Sequence, residues 1–163
     1  MLMAKDARFE ETTAGDRPLK LRAEGDEDLR VVSALLQDAV GVTGEIAWAP
    51  RRRRLVLLLN RFRWEDRPAA ERDGRPFERV RAALALEDVT RVRARGLDPN
   101  DKETVFSVLA LGFDRSEDGA GTVRLMLAGD GEIAAEVECL NLALADVTQP
   151  WAASAGRAPD HGA

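Results

Sequence analysis

The segment Leu55-Val-Leu-Leu-Leu-Asn-Arg-Phe-Arg-Trp-Glu65 decides how the rest of the chain is read. Its first five residues are all apolar, so a strand there is buried on both faces and belongs at the centre of a sheet. Its end is polar, aromatic and carries two arginines. A strand ending this way emerges at a sheet rim, where binding groups concentrate. In extended backbone Arg61 and Arg63 share one face, and Asn60, Phe62 and Trp64 take the other.

Just upstream, Glu45 to Ala49 leads into Pro50-Arg-Arg-Arg-Arg54. Pro50 suits the second position of a turn because its φ is already set, so this stretch reads as a hairpin with arginines at its tip. Further upstream, Leu29, Val32, Leu35, Leu36, Ala39 and Val40 recur at helical spacing. Asp26 reads as the N-cap, Glu27 and Asp28 suit the positive end of the helix dipole, and Gly41 reads as a left-handed stop. Leu19 and Leu21, alternating with charge, suggest a short first strand.

Downstream of the opening segment, residues 66–77 hold Pro68, Gly74 and Pro76 and read as a polar loop. Strand-like alternation follows over Val80–Leu86, Val89–Arg95, Val123–Leu127 and Ile133–Cys139, and Val105–Phe113 is apolar enough to be another central strand. Gly129-Asp-Gly131 is hairpin-turn chemistry and Leu97-Asp-Pro-Asn-Asp101 is a turn. Leu140 to Val147 fits both periods and is read as a long bent strand continuing the one before it. The class is α+β: mainly antiparallel β, as a curved sheet, sandwich or partial barrel, with one principal helix near residues 27–40. Residues 17–149 form a single globular domain, flanked by flexible tails at 1–16 and 150–163, with Trp151 able to fold back onto the body.

Composition limits function more than it specifies it. At 163 residues and 45% apolar content the chain can bury a full core without staples. Its net charge of −5 is unlike that of a nucleic-acid binder. Charge is nevertheless segregated: residues 51–95 hold 14 Arg against 7 Asp and Glu, so a basic face on an acidic protein is allowed. The single cysteine, Cys139, excludes an internal disulfide and reads as a buried structural thiol. The N-terminal residues show no signal-length apolar core and no stretch reaches membrane-spanning length, so the expectation is a soluble, cytoplasmic protein.

Laid out this way, the chain resembles an uncharacterised alphaproteobacterial family, the domain of unknown function numbered 2948. The resemblance rests on Glu27-Asp-Leu-Arg-Val-Val-Ser-Ala-Leu-Leu-Gln-Asp38, Leu57-Leu-Leu-Asn-Arg-Phe-Arg-Trp-Glu65, Val92-Arg-Ala-Arg-Gly96 and Glu136-Val-Glu-Cys139. It implies a stand-alone single-domain protein and brings no activity with it.

Several chemistries have no residues to carry them. The one histidine, His161, lies in the C-terminal segment, so histidine-based triads and multi-histidine metal sites are missing. Neither a phosphate-binding loop, a dinucleotide fingerprint nor a nucleophile elbow appears. No catalytic residue, metal ligand or cofactor is therefore assigned. What remains is a basic-aromatic set: Asn60, Arg61, Arg63 and Trp64, with a second row of Arg91, Arg93 and Arg95. Arginine suits bidentate contact with carboxylate or phosphate, and Trp with Arg is enriched at interface hot spots. The expectation is a non-catalytic binding or adaptor module that presents this surface to an acidic protein or anionic ligand. RNA binding is the first alternative, weighed against by 5% aromatic content and no Tyr. A small metabolic enzyme using carboxylate and arginine chemistry is the second. The plainer account of the same residues is structural: Trp48, Phe62 and Trp64 close one end of the core, Arg61 and Arg63 pair with acids such as Glu65 or Glu87, and Glu136 and Glu138 face the second row.

Overall fold

The computed structural model describes residues 18–98 and 100–153. The strands are β1 (Lys20–Ala23), β2 (Val40–Ala49), β3 (Arg54–Phe62), β4 (Glu78–Leu86), β5 (Val89–Arg95), β6 (Val105–Arg115), β7 (Gly121–Leu127), β8 (Glu132–Val137), β9 (Leu142–Asp146) and β10 (Trp151–Ala152). The α-helices are α1 (Asp26–Leu36) and α2 (Arg67–Asp73). Every strand pairing is antiparallel, in the order β1-β9-β4-β3-β2-β6-β7-β8-β5, with β10 beside β4. The sheet is curved and open, with β1 and β5 at its two edges.

β2 is the hinge of the sheet. Its first residues pair with β3 and β6 at once, and its register against β3 shifts between Gly41 and Ile46. That irregularity lets the sheet turn on itself. Leu55, Leu57, Leu84 and Leu86 of one half then face Leu111, Val123, Leu125, Ile133 and Ala135 of the other. The curl brings the β5 edge back to the start of the interior strand β3: the Val89 N–H of β5 donates to the Arg53 carbonyl, just ahead of β3, at 2.9 Å. β3 is central, as its apolar run requires. Leu55, Leu57 and Leu59 are buried, whereas the opposite row of Val56 and Leu58 is half-buried, so only one face is fully covered.

α1 lays Leu29, Val32 and Leu36 onto the sheet, and its first turn is acidic as expected. It is shorter than its periodicity suggests. Gly25 is the N-cap, with Asp26 already helical, and the helix stops at Leu36. The reversal is made at Asp38, whose φ is 66°, so Val40 and Gly41 belong to β2. Gly41 is required for space: a Cβ there would sit 2.4 Å from the Phe106 ring and 2.8 Å from Leu59.

The expected loop at 66–77 contains α2 instead. Pro68 stands in its first turn, where no N–H is needed, and Gly74 closes it at φ 66°. Both residues punctuate a short helix, which a breaker-based reading takes for a loop. The expected long strand ending at Val147 is two strands, β8 and β9, broken at 138–141 where the chain passes from one half of the sheet to the other. Cys139 lies at that corner, exposed, contrary to the expectation of burial. Its thiol donates to Asp88 Oδ2 at 3.3 Å, and that bond, with some burial, raises its pKa. The body also runs past the expected limit at 149, because Trp151 and Ala152 pair with Arg79 and Glu78 and Ala153 is buried. His161 and the expected N-terminal tail fall outside the described residues. No helix among the described residues is long and apolar enough to cross a membrane.

Candidate functional site

The two arginine rows lie in different places and do different things. By period two, Arg61 continues the row of Leu55, Leu57 and Leu59, which points into the core. It is fully buried. All five of its N–H donors are used. Nε donates to Asp146 Oδ1 at 3.0 Å, Nη1 to Glu65 Oε1 at 2.8 Å and the Phe62 carbonyl at 3.3 Å, and Nη2 to Glu65 Oε2 at 2.6 Å and Asp146 Oδ2 at 3.0 Å. A guanidinium has no sixth donor, so nothing is left for a ligand. Asp146 also accepts the Leu19 N–H at 2.9 Å, so this knot joins β3, β9 and the start of β1.

Burial works against the Arg61 charge, but the hydrogen bonds and charges of Glu65 and Asp146 outweigh it and hold its pKa above the ordinary guanidinium value. Burial pushes the Glu65 carboxyl up, yet the Arg61 hydrogen bond and charge prevail and hold it below its ordinary 4.5.

Arg63 does not share a strand face with Arg61, because β3 ends at Phe62 and a 3-10 turn follows over Trp64–Asp66. It too is buried, bonded to Glu78 and 3.8 Å from Asp66, while Arg75 binds the same Asp66 at 3.2 and 3.3 Å. Its Nη2 is buried with no partner among the described residues. Trp64 packs edge-on against Phe62 at 4.6 Å and donates Nε1–H to the Gln37 carbonyl at 3.0 Å, so it secures the end of α1. Asn60 is half-buried, and its carbonyl accepts from Arg79 at 3.4 Å. Asn60, Arg61, Arg63 and Trp64 therefore build the fold and offer no basic surface. Desolvation without a partner is too costly for an arginine, and the acids that bury these two come from the adjoining turn, β4 and β9.

β5 is the reverse case. It is an edge strand, paired with β8 alone. Arg91 and Arg93, with side chains 69% and 53% exposed, share one carboxylate, Glu136, at 3.8 and 3.6 Å, beyond hydrogen-bond reach. Arg95 has no ion pair among the described residues. A concavity of about 350 Å³ lies on this side, with Arg93 and Arg95 on one flank and Arg124 on the other. Arg124 is already held by Asp114 and by Glu132 at 2.7 Å. The curl that joins Val89 to Arg53 also sets the arginine turn beside the start of β5. There Arg53 pairs with Glu138 at 2.5 Å and Arg54 with Glu87 at 2.7 Å, while Arg51 and Arg52 are exposed with no ion pair among the described residues. Sequence reading did not attach Arg51 and Arg52 to this row. The link is a single long-range backbone bond, and no local pattern announces it.

Other chemistries find little support in the geometry. Among the described residues no three His, Cys, Asp or Glu stand together as a metal site. Glu65, the carboxylate held low, lies in the saturated Arg61 knot and does not line the β5 concavity.

No curated protein and no solved structure matches the chain. A family model does, over residues 19–161, and its description is "Protein of unknown function (DUF2948)". The chain belongs to that family.

Proposed function

We propose that this member of the family is a non-catalytic binding module that takes an acidic protein segment on edge strand β5 and the adjoining arginine turn. One observation carries it: Arg91, Arg93 and Arg95 on β5, and Arg51 and Arg52 on the adjoining turn, hold guanidinium donors with no hydrogen-bonded carboxylate among the described residues, and past Val89 the outer edge of β5 has no strand beside it among them. Arginine forks bind carboxylates bidentately, and an open edge pairs with an extended chain. Backbone pairing holds the segment, and its alternate acidic side chains fall along the Arg91–Arg93–Arg95 row.

RNA fits the same surface less well. Single strands need stacking platforms among the cations, and neither β5 nor the turn carries an aromatic residue. A cytoplasmic setting is part of this reading and suits an exposed free thiol, since oxidising compartments favour disulfides. The excess of arginine over lysine suits the alphaproteobacterial origin that the resemblance implies.

The test is fluorescence anisotropy with two labelled probes of equal negative charge, a Glu-rich peptide and a single-stranded RNA, at low and physiological ionic strength. The peptide should bind saturably and weaken with salt while the RNA stays free. A peptide that fails to bind even at low salt, or an RNA that binds as well, would overturn the proposal.

A further inference from the structure

β6 changes its strand partner along its length. β2 accompanies it through Val105, Phe106 and Ser107, whereas β7 follows it to Arg115. From Leu109 onward one side of β6 has no strand beside it among the described residues. The Leu111 N–H points to that side, because it donates to Ser33 Oγ of α1 at 2.9 Å. The alternation of an antiparallel strand sends the backbone groups of Phe113 and Arg115 the same way.

α1 runs alongside. Its C-terminal end is tied to β6 by the Asp38 N–H on the Val108 carbonyl at 2.9 Å, and its first turn by Arg115 on Asp26 at 2.8 Å. Helix and strand edge enclose a cleft of about 840 Å³, lined by Arg30, Ser33 and Gln37 from α1 and by Leu109, Leu111 and Phe113 from β6. Leu109 is 46% exposed. The charges around the cleft are matched except for one. Arg115 holds Asp26 and lies 5.3 Å over the Phe113 ring, and Arg124 holds Asp114. Arg30 is exposed and has no hydrogen bond or ion pair among the described residues.

We propose that this cleft is a second docking site, taking an extended segment of a partner protein as a strand added to β6 beyond the Ser33 contact. A carboxylate of the segment faces Arg30, and where the segment runs on past the Ser33 contact an apolar side chain covers Leu109. An unpaired strand edge supplies affinity through main-chain hydrogen bonds, and flanking pockets and charges supply selectivity. The site lies on the opposite side of the β6–β7–β8–β5 half from the β5 edge, so a module with both sites grips two acidic segments.

The test is amide NMR of the full chain, titrated with a capped synthetic peptide of alternating Val and Glu. The amides of Ser33, Phe113 and Arg115 should shift, and Arg30→Glu should weaken that response roughly tenfold while leaving any shifts at Val92 and Ala94 of β5 unchanged. The same peptide N-methylated at alternate residues should lose the cleft response, since it cannot pair as a strand. Shifts confined to β5, or a cleft response indifferent to Arg30→Glu and to N-methylation, would overturn the proposal. So would the same cleft shifts appearing with protein concentration alone, which would mean a second copy of this chain, or displacement of the peptide by single-stranded RNA. Because the two sites are read at separate amides, failure of one is distinguishable from failure of the other.

Discussion

Arg61 and Arg63 at the end of β3, and Arg91 and Arg93 on β5, have the same spacing in sequence and opposite surroundings. Around the first pair stand Glu65, Asp66, Glu78 and Asp146, and both guanidiniums are buried. Beside the second, Glu136 is the one carboxylate in ion-pair range among the described residues, at a distance where no hydrogen bond forms. What separates structural from available arginine in this protein is the number of carboxylates within reach. A guanidinium whose five donors are all taken locks strands together. One that shares a carboxylate with a neighbour keeps its donors for a partner.

The largest expected effect of breaking this contrast is at Arg61. Arg61→Ala strands the Asp146 and Glu65 carboxylates in the interior and should cost about 3–5 kcal/mol in urea unfolding. Arg91→Ala or Arg93→Ala should stay within about 0.5 kcal/mol of the parent. Equal losses at the two places would erase the distinction.

Acid sharpens it further. Glu65 titrates lower in the folded state than its ordinary 4.5, so its contribution to stability is fully present above that value and is lost as pH falls through the lowered one. Unfolding midpoints should therefore drop between neutral and strongly acidic pH, and by less in Arg61→Met, where the cause of the lowered pKa is gone. The same drop in both proteins would place the acid sensitivity elsewhere. Among the buried residues at the end of β3, a smaller effect than that of Arg61 belongs to Trp64. Trp64→Phe removes the bond to the Gln37 carbonyl and should cost about 1 kcal/mol in the same unfolding assay, with peptide affinity unchanged. A loss of affinity would return Trp64 to the binding surface.

Much of the fold is legible in the sequence because it is local. The hairpin at Pro50, the strands with clean alternation, the turn at Gly129 and the apolar stripe of α1 all come from spacing and turn chemistry. The end of α1 is misread because Ala39 and Val40 fit the helical period too, and the reversal is made by Asp38, which advertises it less than a glycine does. α2 is missed because seven residues carry too little periodicity to outweigh two breakers.

The site divides the same way. Period two places Arg61 in the row of Leu55, Leu57 and Leu59, so its burial is legible in the opening segment, and of the two acids the sequence suggests, Glu65 does hold it while Glu87 pairs with Arg54. Asp146 lies 85 residues away and becomes its neighbour only through the pairing of β9 with β4. The exposure of Arg91, Arg93 and Arg95 follows from β5 being an edge, and edges are decided by topology. The free side of β6 has the same origin, since it exists because β2 bends away after three pairs.

The most direct test of this division of labour is one anisotropy titration of the Glu-rich peptide against two variants, Arg91→Glu/Arg93→Glu/Arg95→Glu and Arg61→Met. The first should remain folded and lose at least roughly tenfold in affinity, whereas the second should keep parental affinity in its folded fraction. Binding retained by the β5 variant and lost by folded Arg61→Met would contradict the account.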